Sequence, residues 1–430
     1  LRGADLVLLA LGSTGQGDTA SNNALLVVHC DGPLAPERVT RSLERLLDFC
    51  PWPAARLRRP FPWGKLHWAA GRRTALAPPP VARRAVATPE AFHRAVDAEL
   101  NAAIDPTREP PLRFLILDGA SPDTIGAPSV LVMTWFHPLM DPRGAQNLLR
   151  HLSVLDDHRG DAPWGAAVPA FEPTPDGRPW RERGRLARQS VEYMRSVSRV
   201  PPGPPRTGRT GPVRFRQESF VDRDPAVSPD RATREIWWRV AVVGKALREV
   251  WARRGLPDVA VLLPIAVDLR PKGEPGPTFG NILAFHFARF QLSETADTPR
   301  LASTLRNQMA EALRQGQIEA NEVAMTFLKY RPLPMIRRAV PGISGGDTFS
   351  FNCADVGEFP AALARCFGRR VVNAYHVPAV PPRPGIGIFF NRCAGQNNLV
   401  VAWIEGLLDE DDVNRIVEIV REEMGWLRTS

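Results

Sequence analysis

The chain has 430 residues, of which 44% are hydrophobic and 23% charged, so it can bury a substantial core and is not disordered throughout. No uninterrupted apolar run reaches the roughly 18 residues of a membrane-spanning helix, and at roughly 100–200 residues per domain the length predicts two domains or one large fold built from two halves. The net charge of +9 is local: residues 178–216 hold eleven Arg against two Glu, an excess equal to that of the whole chain, and the rest is balanced. A run of this kind reads first as a solvated face.

In chain order, Gly12-Ser13-Thr14-Gly15-Gln16-Gly17 is glycine-rich but matches neither phosphate-binding fingerprint, and no strand–helix–strand unit surrounds it, so it reads as a mobile loop. Asn23–Cys30 (NALLVVHC) predicts a strand. A helix over about 35–49 follows, with Val39, Leu43, Leu46 and Leu47 on one apolar face. The proline tract Ala77–Val81 interrupts the chain. Pro111–Leu117 and Ser129–Phe136 are apolar runs of strand length, rich in branched and aromatic residues, and the second ends directly in His137. A helix over about 143–155 carries Leu148, Leu149, Leu152 and Leu155.

Between residues 162 and 212, proline- and glycine-rich sequence interrupts any sheet, and the segment 181–200 predicts one basic helix within it. The predicted division is therefore 1–161, a crossover 162–216, and 217–430. The second half predicts a helix over 232–254, strands over 259–267 and 282–290, a long helix from about Pro299, and strands over 348–352, 385–390 and 398–403. A last helix follows over 409–424, where Asp409 caps the start and Glu410, Asp411 and Asp412 suit the helix dipole. The class is mixed α/β in two similar-sized halves.

The most informative local signal is Trp135-Phe136-His137-Pro138-Leu139-Met140-Asp141-Pro142-Arg143-Gly144. A titratable His directly after a buried strand is placed on a rigid element, and imidazole takes and returns protons near neutral pH. Asp141 lies close enough to orient the loop or the ring. Two such groups make no metal site, and no neighbouring cluster of ligands completes one. His286 and His376, each within apolar strand-like sequence, read as buried structural histidines. Cys30, Cys50, Cys353, Cys366 and Cys393 form no CxxC pair, and an odd count in so long a chain is not a disulfide framework. That pattern, with no clear signal peptide, predicts a reducing, cytoplasmic location.

A second segment gives the first its context: Leu263-Pro264-Ile265-Ala266-Val267-Asp268-Leu269-Arg270-Pro271, followed by Phe279-Gly280-Asn281. With these the chain resembles the superfamily of thioester-dependent acyltransferases of chloramphenicol-acetyltransferase-like fold, which includes wax ester synthases, alcohol acyltransferases and the condensation domains of nonribosomal peptide synthetases. The family pattern is an HHxxxDG loop, a PVxLR-type strand and a following GN, in this order and at about this separation. The resemblance covers nearly the whole chain, from LRGADLVLLAL to the late strand FSFNCADVGEFP.

The resemblance implies two lobes of mixed sheet flanked by helices, with a tunnel at their interface, in a monomer. His137 matches the catalytic His, which deprotonates a hydroxyl or amine acceptor as it attacks a thioester. Asp141 matches the architectural Asp of the loop, and Arg270 the strand Arg that pairs with it. Asn281 matches the Asn of GN near the tunnel, while Ser350 and Asn352 lie where the family places groups near the developing oxyanion. It further implies no resident cofactor or metal, acyl-CoA or acyl-phosphopantetheine as donor, and a small-molecule or lipid acceptor. The arginine run then becomes a solvated connector or a rim for a CoA phosphate, a carrier protein or an anionic membrane surface. Nucleic-acid binding lacks any recognition signature beyond charge.

Two positions depart from the pattern. Phe136 stands where the first His belongs, and Pro142 where Gly follows Asp, with Gly144 two residues on. Proline fixes φ and lacks an N–H, so the loop backbone is expected to differ there. A catalytically inactive scaffold of the same fold, or a condensation-like enzyme acting on carrier-bound substrates, are the alternatives.

Overall fold

The computed structural model describes residues 1–12, 22–60, 64–70, 77–119, 126–157, 177–197, 211–223, 231–256, 258–270, 279–336, 349–381 and 384–428. Residues 13–17 of the glycine-rich loop and residues 162–176 and 198–210 of the proline-rich crossover lie outside them.

Helix α1 (Gly3–Leu11) precedes strand β1 (Asn23–Cys30), helix α2 (Pro36–Phe49), the short pair β2 (Arg56–Arg58) and β3 (His67–Ala69), and strand β4 (Val81–Val86). Helix α3 (Pro89–Asn101), capped by the Thr88 hydroxyl, leads to β5 (Leu112–Gly119), β6 (Ser129–Phe136) and helix α4 (Pro142–Asp157). Helix α5 (Trp180–Val197) overlaps the predicted basic helix, and β7 (Val213–Asp222) begins at the end of the arginine run and extends beyond it. Then come α6 (Arg231–Arg253), β8 (Ala260–Asp268), β9 (Leu283–Gln291), α7 (Thr298–Arg314) and α8 (Gln317–Thr326). The chain closes with β10 (Asn352–Glu358), β11 (Arg365–Cys366), β12 (Arg369–Val377), β13 (Ile386–Cys393), β14 (Gln396–Ile404), α9 (Glu410–Met424) and β15 (Trp426–Arg428).

Two sheets organise these elements. The first has the order β11-β12-β1-β6-β5-β4, the second β10-β13-β14-β7-β15, and β8 and β9 form a separate antiparallel pair. Sheet membership does not follow chain order: β12 pairs antiparallel with β1, from Leu25 opposite Val377 to Cys30 opposite Val371. The sheet built by residues 1–161 thus takes two strands from the segment 217–430.

The run of apolar residues in β1 and β6, unbroken by polar alternation, is explained by burial of both faces. Leu26, Val28, Leu131 and Met133 pack with Leu43 and Leu46 of α2 and Leu148, Leu149 and Leu152 of α4. Leu25, Val27, Val130 and Val132 face the other way, into a core that also holds Phe389, Val400, Ala402 and Ile404 of the second sheet. Fully burying each Leu or Val is worth about 1.5–3 kcal/mol, so this shared layer fastens the sheets together. A third core joins α6, α9, β8, β9 and the opposite face of the second sheet.

One predicted strand is displaced. The sequence places it at 348–352, but β10 begins at Asn352 and runs to Glu358, parallel to β13. Ser350 is instead held by Leu262 of β8, its N–H donating to the Leu262 carbonyl at 2.8 Å and its Oγ accepting from the Leu262 N–H at 3.1 Å. Helix α5 is more than a solvated connector: Tyr193 donates its hydroxyl to the Phe287 carbonyl at 3.0 Å, and the Ser190 hydroxyl bonds Asn321 Oδ1 of α8 at 2.7 Å. Among the described residues no helix is long and apolar enough to cross a membrane.

Candidate active site

Strand β6 ends at Phe136, and His137 opens a single 3₁₀ turn, His137–Leu139. The turn is fixed from both ends. The Trp135 indole donates to the Met140 carbonyl at 2.8 Å, and the Met140 N–H to the His137 carbonyl at 3.2 Å. Phe136, at the position of the missing first His, fills an apolar cluster with Leu9, Leu57 and Ile104 and meets the Trp68 ring edge-on.

Asp141 precedes α4 and caps it, its Oδ1 accepting the Gly144 N–H at 2.7 Å. This places Pro142 at the first helical position, where an amide hydrogen has no partner to lose and a fixed φ is favourable. The departure from the family pattern is therefore compatible with a well-formed loop. Gly144 is required for a different reason: a Cβ there would lie 2.8 Å from the Phe279 carbonyl oxygen.

The remaining capacity of Asp141 goes to the second half of the chain. Arg270 Nη2 donates to Oδ1 at 2.9 Å and Nη1 to Oδ2 at 3.0 Å, while the Ile282 N–H reaches Oδ2 at 2.9 Å. Both side chains are buried, Arg270 6% and Asp141 5% exposed. Burial works against the Arg270 charge, but Asp141 and then Asp268 more than offset it and hold its pKa above the usual value. Arg270 also donates to the Gly280 carbonyl at 3.0 Å, so one guanidinium ties loop, strand end and Gly-Asn turn together.

His137 lies on the wall of a cavity of about 180 Å³ between elements of both halves. Val7, Leu8 and Leu11 of α1, Leu283, Phe285 and Phe287 of β9, and Phe389 make most of this lining apolar. Enclosure lowers the His137 pKa below its usual 6.5, with its own backbone and the Asp141 charge working in the opposite direction. The imidazole is therefore neutral at pH 7, the form that accepts a proton. Its Nδ1 is enclosed.

Of the other predicted residues, Asn281 reaches the loop, its Nδ2 donating to the His137 carbonyl at 3.1 Å. Asn352 lines the cavity; Ser350 is absent from its described lining. Sequence reasoning missed two contributors. His376 lines the same cavity, with Nε2 3.1 Å from Gln146 Nε2, and burial lowers its pKa to about 3. Helix α1 supplies one wall, a role that the apolar run within LRGADLVLLAL does not reveal by itself. His286, by contrast, lies away from the cavity, edge-on to Trp237, with its pKa lowered to about 4 by burial. All five cysteines are free and buried, and burial raises each thiol pKa. Among the described residues, no cluster of three or more His, Cys, Asp or Glu is arranged to hold a metal.

Neither a protein-family model nor a curated protein matches the sequence, and the likeness to known proteins lies in structure. The trichothecene 15-O-acetyltransferase of Fusarium sporotrichioides superposes over 99% of this chain and 94% of its own, with a TM-score of 0.67 and 12% identity. The first condensation domain of the calcium-dependent antibiotic synthetase does so over 99% and 96%, with a TM-score of 0.65 and 14% identity. A starter condensation domain of rhizomide synthetase matches over 99% and 93%, again with a TM-score of 0.65 and 14% identity. The chain thus has the chloramphenicol-acetyltransferase-like fold, shared by an O-acetyltransferase and by condensation domains of peptide synthetases.

Proposed function

We propose that the protein transfers an acyl group from a thioester, carried by CoA or by a phosphopantetheine arm, to a hydroxyl or amine acceptor, with His137 as general base. The observation that carries this reading is the neutral imidazole on the wall of an apolar cavity, on a loop clamped by Arg270 across the two halves. The fold neighbours support it: one is an acetyltransferase, others are condensation domains, and one of these was solved with a CoA derivative.

In this reading Nε2 of His137 takes the acceptor's proton as its oxygen or nitrogen attacks the thioester carbonyl. A tetrahedral intermediate forms, the C–S bond breaks, and the imidazolium returns the proton to the departing thiolate. No covalent acyl-enzyme is required. Asn352 is the donor candidate on the cavity wall for the developing oxyanion, an interaction worth about 3–4 kcal/mol when well aimed. Asp141 and Arg270 hold the loop and do not touch the reacting atoms. The accommodation of Phe136 and Pro142 favours an active loop over an inert scaffold.

The test is turnover of acyl-CoA and of acyl-pantetheine with a panel of alcohols and amines, comparing the wild type with His137→Ala. Thiol release that disappears in the variant, with the melting temperature retained, is the expected result. Undiminished release by His137→Ala would overturn the assignment. The preferred thioester and acceptor separate a free-standing acyltransferase from a condensation-like enzyme.

A further inference from the structure

Asn281 spends its amide group on two acceptors. Its Nδ2 donates to the His137 carbonyl at 3.1 Å and to Asp5 Oδ1 at 2.8 Å. A main-chain carbonyl only accepts, so this orientation of the amide is the one that satisfies the loop. Asp5 stands in the first turn of α1, 5% exposed, and its other oxygen receives the Arg2 N–H at 2.5 Å.

Helix α1 is otherwise apolar (GADLVLLAL); the one carboxylate in it closes a capping box on the Arg2 N–H with one oxygen and leaves the other to Asn281. Burial is the largest influence on Asp5 and raises its pKa to about 6, against the Arg2 N–H, the Asn281 amide and the Arg2 charge. Lys329, in the turn Phe327–Tyr330, also faces it. A group whose folded pKa lies above its unfolded value of 3.8 subtracts stability as pH rises through that interval, so at pH 8 the ionised Asp5 destabilises the fold. A charge that lowers stability while bonded to the residue that holds a candidate catalytic loop has the character of a functional position.

We propose that Asp5 is a positioning residue for His137 and acts through Asn281. The carboxylate orients the Asn281 amide, and the amide fixes the main chain from which the imidazole projects. Helix α1 thereby does two things: Val7, Leu8 and Leu11 form a cavity wall, and Asp5 registers that wall against the loop. The proposal rests on the reading of His137 as the reacting base.

The experiment compares Asp5→Ala, Asp5→Asn, Asn281→Ala and the Asp5→Ala/Asn281→Ala double variant in the full chain at pH 8. Turnover, melting temperature and the ¹H–¹⁵N signals of the His137 ring are read together, the last assigned from their loss in His137→Ala. Asp5→Ala is expected to lower kcat about 10- to 100-fold, the range that a small misplacement of a reacting group costs, with KM within about twofold. Its melting temperature should be unchanged or higher. Asp5→Asn, which keeps an oxygen for Asn281, should restore most of kcat and raise the melting temperature. The double variant should be no slower than the slower single variant, and both single alanine variants should move the ring signals.

Unchanged kcat and ring signals in Asp5→Ala would overturn the proposal, as would losses that multiply in the double variant. If Asp5→Ala does not fold, Asp5→Asn and Asn281→Ala decide it. If the wild type turns over no thioester, the acyl-transfer reading fails on its own, and the ring signals alone judge the positioning.

Discussion

Asp141 and Arg270, 129 residues apart, meet through two parallel hydrogen bonds of 2.9 and 3.0 Å, with both side chains buried. A pair desolvated to this degree contributes little net stability compared with apolar residues of the same shape. Removing one partner is another matter, because the survivor is left charged and buried.

Arg270→Ala is therefore expected to cost about 3–5 kcal/mol of stability and to lower activity as well. Arg270→Lys should recover only part of both, since an ammonium cannot reproduce the planar fork. Chemical denaturation of the three proteins checks this, and an unchanged midpoint for Arg270→Ala would remove the clamp from the argument.

Gly144→Ala forces a methyl to within 2.8 Å of the Phe279 carbonyl oxygen. Because that neighbour is backbone, relief requires the α4 start and the Gly-Asn turn to part. The expected cost is about 1–3 kcal/mol, with a fall in turnover from displacement of the loop. A variant as stable as the wild type would show that the two segments are freer than their close approach implies.

Asn352 and Ser350, two residues apart, should respond in opposite ways. Asn352 lines the cavity, whereas the Ser350 hydroxyl is engaged with Leu262. Asn352→Ala is expected to lower kcat about 100-fold or more with little change in melting temperature, as for loss of one oxyanion donor. Ser350→Ala should cost about 1 kcal/mol of stability and leave kcat within a few-fold. Steady-state kinetics with thermal melts separates the two, and a reversal of the pattern would reassign the donor.

Stability should fall as the solution is acidified below about pH 6.5. His286 and His376 have folded pKa values lowered to about 4 and about 3 by burial, so between 6.5 and those values the unfolded chain binds more protons. His286→Leu, which removes a ring whose two nitrogens are buried without hydrogen-bond partners, is expected to flatten the dependence between pH 7 and 5. Urea midpoints at the two pH values test this. Equal slopes for variant and wild type would place the acid sensitivity elsewhere. Activity should show a related limb: turnover falls as His137 protonates, and burial sets that fall below pH 6.5.

What could be read from sequence was whatever is decided locally. Strands β1 and β6 announce themselves because they are buried on both faces. His137 stands out because it ends such a run, and Asp409 because it caps its helix, its carboxylate accepting the Asp412 N–H at 2.8 Å while its own N–H donates to Asp412 Oδ2 at 3.3 Å. The rest depends on partners far away in the chain. Asp5 and Asn281 are 276 residues apart, and no periodicity marks a carboxylate that is paired at that distance. Strand β12 (RRVVNAYHV) has the pattern of any strand, yet on one side it pairs with the adjacent β11 and on the other with β1, more than 300 residues earlier, and not with β13, which follows it. Ser350 and Asn352 are equivalent in sequence; only the pairing of β10 with β13 decides which faces the cavity.

The return of β12 to the first sheet bears on how anything reaches His137. Six residues of β1 are paired with a strand delivered by the second half, so the halves cannot swing apart like jaws without unzipping that ladder. A hinge of this sort would also tear the apolar layer that both sheets share. Without such a hinge, discrimination among ligands would fall on the residues that line the cavity rather than on a closure of the halves around the guest.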